Sequence, residues 1–217
     1  MLVLLPPSEG KTAPAKGGPV DLGSLAFAEQ LGERREQVLD ALDPHLREAP
    51  AAPAAEVYTG VLFKRLELPK LPAKARRQVL IASALWGVVR PDDRIPHYKL
   101  PPKEKLDGIG PLAKFWRPAL AEALPDKEGE LIVDMRSGAY STMWKPKRAT
   151  LLAVRAFTEI DGERKAVSHM AKAVRGDVAR ALLEAKKAPA DRDAAAAIAE
   201  SASFAVELND GNLDVIV

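Results

Sequence analysis

The sequence predicts a mixed α/β fold (α+β in places): one domain over residues 1–217, with a mixed central sheet, β-hairpins and a cover of helices. Three observations predict it. Continuous apolar runs at 2–5, 79–85 and 131–133 read as buried strands. Apolar residues recur at helical spacing at 24–42, 111–124 and 170–186. Turn signals at Asp161-Gly162 and at Asn209-Asp210-Gly211-Asn212 fold neighbouring apolar segments into hairpins. No internal repeat and no composition shift divides the chain.

Each element follows from local chemistry. The run 2–5 is apolar throughout and stops at Pro6-Pro7, as a strand buried on both faces would. Residues 10–22, rich in glycine, proline and lysine, read as a mobile loop. In 24–42 the positions Leu31, Val38, Leu39 and Leu42 share a helical face, with Ser24 as the N-cap. The alanine- and proline-rich stretch 48–55 reads as a linker. Polar residues 74–78 lead into the strand 79–85. The helix over 111–124 starts with Pro111 in its tolerant first turn, and Pro118 should kink or split it. The strand 131–133 is broken by Arg136-Ser137-Gly138. Segments 150–158 and 164–168 form the first hairpin, and 204–208 with 213–217 the last.

Composition excludes several functions. With 0 cysteines, disulfides, zinc–cysteine sites and thiol catalysis are ruled out. The 3 histidines, His45, His97 and His169, have no ligand spacing, so neither metal nor cofactor is expected. Residues 1–5 lack the basic lead and length of a signal peptide or membrane span, and the lack of cysteine fits the cytoplasm, so the expectation is a cytoplasmic protein away from membranes, with a monomer favoured. A net charge of +2 does not announce a nucleic-acid binder; such a role would rest on local clusters.

Those clusters are visible. The strand 79–85 feeds a polar loop in which Arg90 and Lys99 are suited to a phosphate, with Tyr98 to stack on a base or donate its hydroxyl. The plainer alternative pairs Arg90 with Asp92 or Asp93. Gly10-Lys11-Thr12 imitates a phosphate loop, but Leu5 stands where that motif needs glycine and two prolines remove backbone donors. What remains is Lys11 beyond the end of a first strand, where open sheets place ligands. Gly108 and Gly110 suggest the hairpin of a helix-hairpin-helix, although Pro101-Pro102 leaves room for only one turn of its first helix. Lys145 and Lys147 alternate with Tyr140 and Trp144 as in backbone-tracking segments, and Lys172 and Arg175 share a helix face. Catalytic candidates are Ser8, Glu9, Tyr58 and Tyr140. Neither Ser8, Ser137 nor Ser168 lies in a nucleophile elbow, and nothing pairs Glu9, Glu56, Asp92 or Asp134.

Read in order, Leu4-Leu5-Pro6-Pro7-Ser8-Glu9-Gly10-Lys11, Tyr58-Thr59-Gly60-Val61-Leu62, Ser83-Ala84-Leu85-Trp86-Gly87-Val88-Val89-Arg90-Pro91-Asp92-Asp93, Pro96-His97-Tyr98-Lys99-Leu100, Phe115-Trp116, Asp134-Met135-Arg136-Ser137-Gly138-Ala139-Tyr140 and Ala171-Lys172-Ala173-Val174-Arg175-Gly176 resemble the YaaA family of peroxide-stress proteins. The resemblance covers nearly the whole chain, as a short, divergent member from a high-GC genome. It implies a cytosolic single domain with a basic cleft, acting in hydrogen peroxide stress to limit iron-linked damage, and DNA as partner. Lys11, Arg90, Tyr98, Lys172 and Arg175 match the family's recurring polar residues. The carboxylate that many members place just before the tyrosine is Ala139 here. Two readings stand open. One is a DNA-binding stress protein with Lys11, Arg90, Lys99, Lys145, Lys147, Lys172 and Arg175 on one face. The other is an enzyme acting on a nucleotide or nucleobase where Ser8, Glu9, Tyr58, Arg90, Tyr98 and Tyr140 meet, so the partner is a nucleic acid or a phosphorylated small molecule.

Overall fold

The computed structural model describes residues 1–160, 163–166 and 170–217. In chain order the elements are β1 (Leu2–Leu5), α1 (Ala28–Asp40), α2 (His45–Glu48), β2 (Ala51–Pro53), α3 (Ala54–Val57), α4 (Val61–Leu66), α5 (Ala73–Arg76), β3 (Val79–Ser83), β4 (Gly87–Val89) and β5 (Arg94–Pro96). They continue with β6 (Lys105–Leu106), β7 (Gly110–Pro111), α6 (Leu112–Ala123), β8 (Leu131–Asp134), α7 (Ala139–Met143), β9 (Thr150–Ile160), β10 (Glu163–Ala166), α8 (Met170–Glu184), α9 (Arg192–Ser201), β11 (Ala205–Asn209) and β12 (Asn212–Ile216).

The main sheet runs β11-β12-β9-β8-β1-β3-β4, with β10 folded back on β9. Strands β3, β1, β8, β9 and β12 are mutually parallel, and β4 and β11 are antiparallel to their neighbours. This is the mixed α/β fold that the apolar runs and hairpin signals predict. Every residue of β1, β3 and β8 is buried, so both sheet faces are covered. One helix group packs α1 against α6 and α6 against α7, and a second packs α8 against α4, α5 and α9. The chain leaves β1 for β3 on one side and later reaches β8 on the other. The strand order therefore reverses between β1 and β8, and such a reversal opens a crevice outside the carboxyl ends of the strands.

Several local expectations are corrected. The segment 48–55 is not a linker, because β2 pairs with β5 and α3 follows directly. Residues 10–22 are tied down, with Thr12 N–H donating to Val57 O and Ala51 N–H to Gly18 O. The helix begins at Ala28 rather than Ser24, which closes a short 3-10 turn capped by Asp21. The strand 79–85 ends at Ser83, whose Oγ accepts from Leu85 and Trp86 N–H and turns the chain into β4. Helix α6 runs unsplit through Pro118. Pro118 is exposed, so the carbonyl it leaves unbonded faces water, while Leu112, Trp116, Ala119 and Leu120 hold the helix down. Gly108 and Gly110 turn a short β-hairpin, not a helix-hairpin-helix.

The last hairpin closes through Asp210 and Gly211, both at positive φ as its two-residue turn requires. Asp161-Gly162, Ser168 and His169 lie outside the described residues. Among the described residues no helix is long and apolar enough to cross a membrane. Arg35 is a fully buried brace: Nε donates to Trp86 O at 3.1 Å, and Nη2 to Ala26 O at 2.8 Å and Val88 O at 2.9 Å. Burial pulls its guanidinium down to about 10.

Candidate functional site

At the carboxyl end of β1 the chain passes Pro6-Pro7 to Ser8, which is buried and accepts from Gly60 N–H at 2.7 Å. A Cβ on Gly60 would stand 2.3 Å from that Oγ, so this approach needs glycine. Ser8 thus fastens the start of α4 to the end of β1 rather than standing ready as a nucleophile. Three residues on, Lys11 forms an antiparallel bridge with Tyr58, reinforced by Thr59 N–H to Gly10 O at 3.0 Å.

This bridge carries the Lys11 Nζ over two aromatic faces, 4.5 Å from the Tyr98 ring centre and 5.7 Å from that of Tyr58. Behind the rings runs a buried hydroxyl chain. Ser83 Oγ lies 2.7 Å from Tyr98 Oη, which lies 2.7 Å from Tyr58 Oη. Ser83 uses both lone pairs on the N–H groups of Leu85 and Trp86, so its own hydrogen points to Tyr98. Burial raises Tyr58 well above the ordinary phenol value and Tyr98 to about 12. Tyr140 rises too, from burial and then from the neighbouring Tyr98 and Glu9. Burial lowers the Lys11 ammonium, and the Glu9 charge partly opposes that. The chain has 3 tyrosines, and all of them meet here.

The end of β8 supplies the other wall. Asp134 is buried and takes Arg136 Nε at 2.8 Å and Nη2 at 2.9 Å, while Nη2 also donates to Trp144 O at 2.8 Å. The pair braces the turn into α7, which bears Tyr140. Arg175, from α8, donates Nε to Val154 O at 2.9 Å. Its guanidinium is lowered by burial and supported by the Asp134 charge. This edge therefore combines a desolvated amine, a half-buried guanidinium and a phenol, suited to gripping an anion with an apolar flank.

Of the expected residues, Ser8, Glu9, Lys11, Tyr58, Tyr98 and Tyr140 come together beyond β1, and Arg175 stands by Asp134 at the end of β8. Arg90 does not. Because β4 runs back antiparallel to β3, it carries Arg90 toward the opposite end of the sheet. There Nη1 donates to Arg77 O at 3.0 Å and the guanidinium covers Phe27. The alternative pairing with Asp92 also fails, since Asp92 binds Arg76; Asp93 instead accepts the Arg90 backbone N–H. Lys147 lies before the first residue of β9, again at the far end, with its backbone N–H on Asp126. The expected single face of seven basic residues is thus divided. Lys99, Lys145 and Lys172 are exposed.

The sequence singles out neither Ser83 nor Arg136 as a site residue, and names Asp134 only as a carboxylate without a partner. Asp134 and Arg136 stand two apart beyond an apolar strand, the spacing that puts both side chains on one side, and that was the available signal. Among the described residues no group of three His, Cys, Asp or Glu could hold a metal ion.

The family model for the peroxide stress protein YaaA matches residues 21–195. A UPF0246 protein of Streptomyces coelicolor is 40% identical, over 87% of this chain and 85% of its own length. UPF0246 proteins of Corynebacterium efficiens and Corynebacterium glutamicum are 37% and 34% identical, each over 100% of this chain and 98% of their own.

Proposed function

The chain belongs to the family of the peroxide stress protein YaaA, and from that premise we propose that it serves the hydrogen peroxide response by gripping a nucleic-acid phosphate in the β1/β8 crevice. The observation that carries this reading is that Lys11 lies over the Tyr98 ring beyond β1 while Arg175 is supported by Asp134 at the end of β8, on the two sides of the strand-order reversal where open α/β sheets take their ligands. Lys11 and Arg175 supply charge, and Tyr140 offers a ring for an unstacked base. DNA is the expected polymer, held in the cytoplasm, with the protein limiting oxidative and iron-linked damage to it.

The test is fluorescence anisotropy with single-stranded and duplex DNA between about 50 and 200 mM salt, where phosphate contacts lose affinity steeply. Lys11→Ala and Arg175→Gln should weaken binding and flatten its salt dependence. Arg90→Ala and Lys147→Ala, at the opposite end of the sheet, should leave both unchanged. Equal weakening by all four would refute the reading. A second reading, an enzyme acting on a nucleotide, is favoured by the Ser83–Tyr98–Tyr58 hydroxyl chain behind the rings that Lys11 covers. Mononucleotides that compete at the crevice and are converted there would establish it.

A further inference from the structure

Lys11 differs from the arginines that are tied into ion pairs. No carboxylate oxygen among the described residues lies within salt-bridge distance of its amine, whereas Arg65, Arg155, Arg164 and Arg180 all have such partners. Its surroundings are instead two ring faces, at 4.5 and 5.7 Å, whose hydroxyls are turned away into the buried chain. Its backbone is fixed by the bridge to Tyr58, so the side chain leaves the main chain from a defined point beside the two rings. Glu9, two residues before it, is exposed, and its charge acts on both Lys11 and Tyr140. A partly desolvated amine beside a proton carrier is the arrangement by which lysines capture carbonyls.

We infer that Lys11 is a nucleophile for an aldehyde carried on a phosphorylated sugar, forming a Schiff base while Arg175 holds the phosphate. The inference rests on the phosphate reading for Arg175. The neutral Nζ attacks the aldehyde carbon, a C–N bond forms, and the carbonyl electron pair moves onto oxygen. The proton lost from nitrogen passes to that oxygen, for which the Glu9 carboxylate is the relay. The resulting carbinolamine takes a second proton on its hydroxyl and loses water, leaving a protonated imine. No oxidant or reductant is consumed. Burial of the amine acts in the same direction, since it favours the neutral form that attacks. Two sources carry this chemistry: an abasic deoxyribose within DNA, whose ring opens to an aldehyde, and a free sugar phosphate.

The test is reductive capture on the full chain with cyanoborohydride, which fixes an imine as a stable secondary amine. One arm uses 2-deoxyribose 5-phosphate, and a second a duplex with one abasic site. A third uses phosphate-free 2-deoxyribose. Intact mass and peptide mapping locate the adduct. The expected result is an adduct concentrated on Lys11, faster as pH rises, and lost in Lys11→Arg, whose fold is checked by its melting curve. An adduct spread over exposed lysines such as Lys99, Lys145 and Lys172, with Lys11 no richer than they are, would overturn the inference. That outcome is read on the unaltered protein and needs no variant. Preference between the first two arms identifies the source. Inorganic phosphate separates the two claims: capture at Lys11 that phosphate does not slow upholds the nucleophile and overturns the phosphate grip. Phosphate-sensitive DNA binding without a Lys11 adduct does the reverse.

Discussion

Replacing Tyr98 by phenylalanine removes one oxygen from the middle of the buried chain, and its cost can be worked from the contacts. Tyr98 Oη is the acceptor for the Ser83 hydroxyl and the partner of Tyr58 Oη, both at 2.7 Å, and all three residues are buried. The substitution orphans two hydroxyls at once. Leaving a buried polar group unsatisfied costs about 1–3 kcal/mol, so Tyr98→Phe should destabilise by about 2–6 kcal/mol. At about 2–4 °C per kcal/mol for a domain of this size, the melting temperature should fall by about 4–24 °C. Tyr58→Phe leaves Tyr98 still bonded to Ser83 and should cost only about 1 kcal/mol. In the Tyr98→Phe background the same change removes an orphan instead of a bond, so it should be neutral or stabilising. Thermal and urea unfolding of the two single variants and the double variant give the cycle. If Tyr58→Phe costs the same in both backgrounds, the hydroxyls are not coupled and the chain does not exist as described.

Four further outcomes follow from the same structure. Gly87 sits at φ +70° with an added Cβ only 2.7 Å from Trp116 Cε3, so Gly87→Ala should cost about 2–5 kcal/mol in urea unfolding. Gly108→Ala, at φ +75° but in open space, should cost only about 1–2 kcal/mol. Arg136→Met leaves Asp134 buried without its partner and should cost about 3–5 kcal/mol, whereas the double variant with Asp134→Leu should recover much of that by melting curve. Tyrosinate absorbance should report no phenol titrating at its ordinary value, since all 3 tyrosines are raised. A raised acid binds its proton more tightly when folded, so this term is constant below the ordinary phenol value. Stability should then fall as pH climbs toward the folded-state value of about 12 for Tyr98. A normal phenol step with no loss of stability would refute the burial of the cluster.

The strands that frame the crevice were legible because burial on both faces leaves a continuous apolar run, as at 2–5 and 131–133. Elements held by tertiary contact were not. The strand β2 has only alanines and a proline, and exists because β5 pairs with it. Arg90 shows why proximity in sequence misled: eight residues separate it from Tyr98, but Gly87 turns the chain and β4 carries Arg90 away while the loop returns Tyr98. Arg35 was readable in principle, since it lies four residues after Leu31 and three before Val38 on the buried stripe of α1. An arginine there must seek partners inside, and its Nε and Nη2 find them on the carbonyls of the same turn that redirects Arg90, while Nη1 is left without one among the described residues. The turn is therefore braced from below by a buried cation and from the side by Ser83, whose hydroxyl also positions Tyr98. One structural device thus shapes the edge of the sheet and sets the aromatic wall on which Lys11 rests, so stability and site geometry should fail together when Ser83 or Tyr98 is altered.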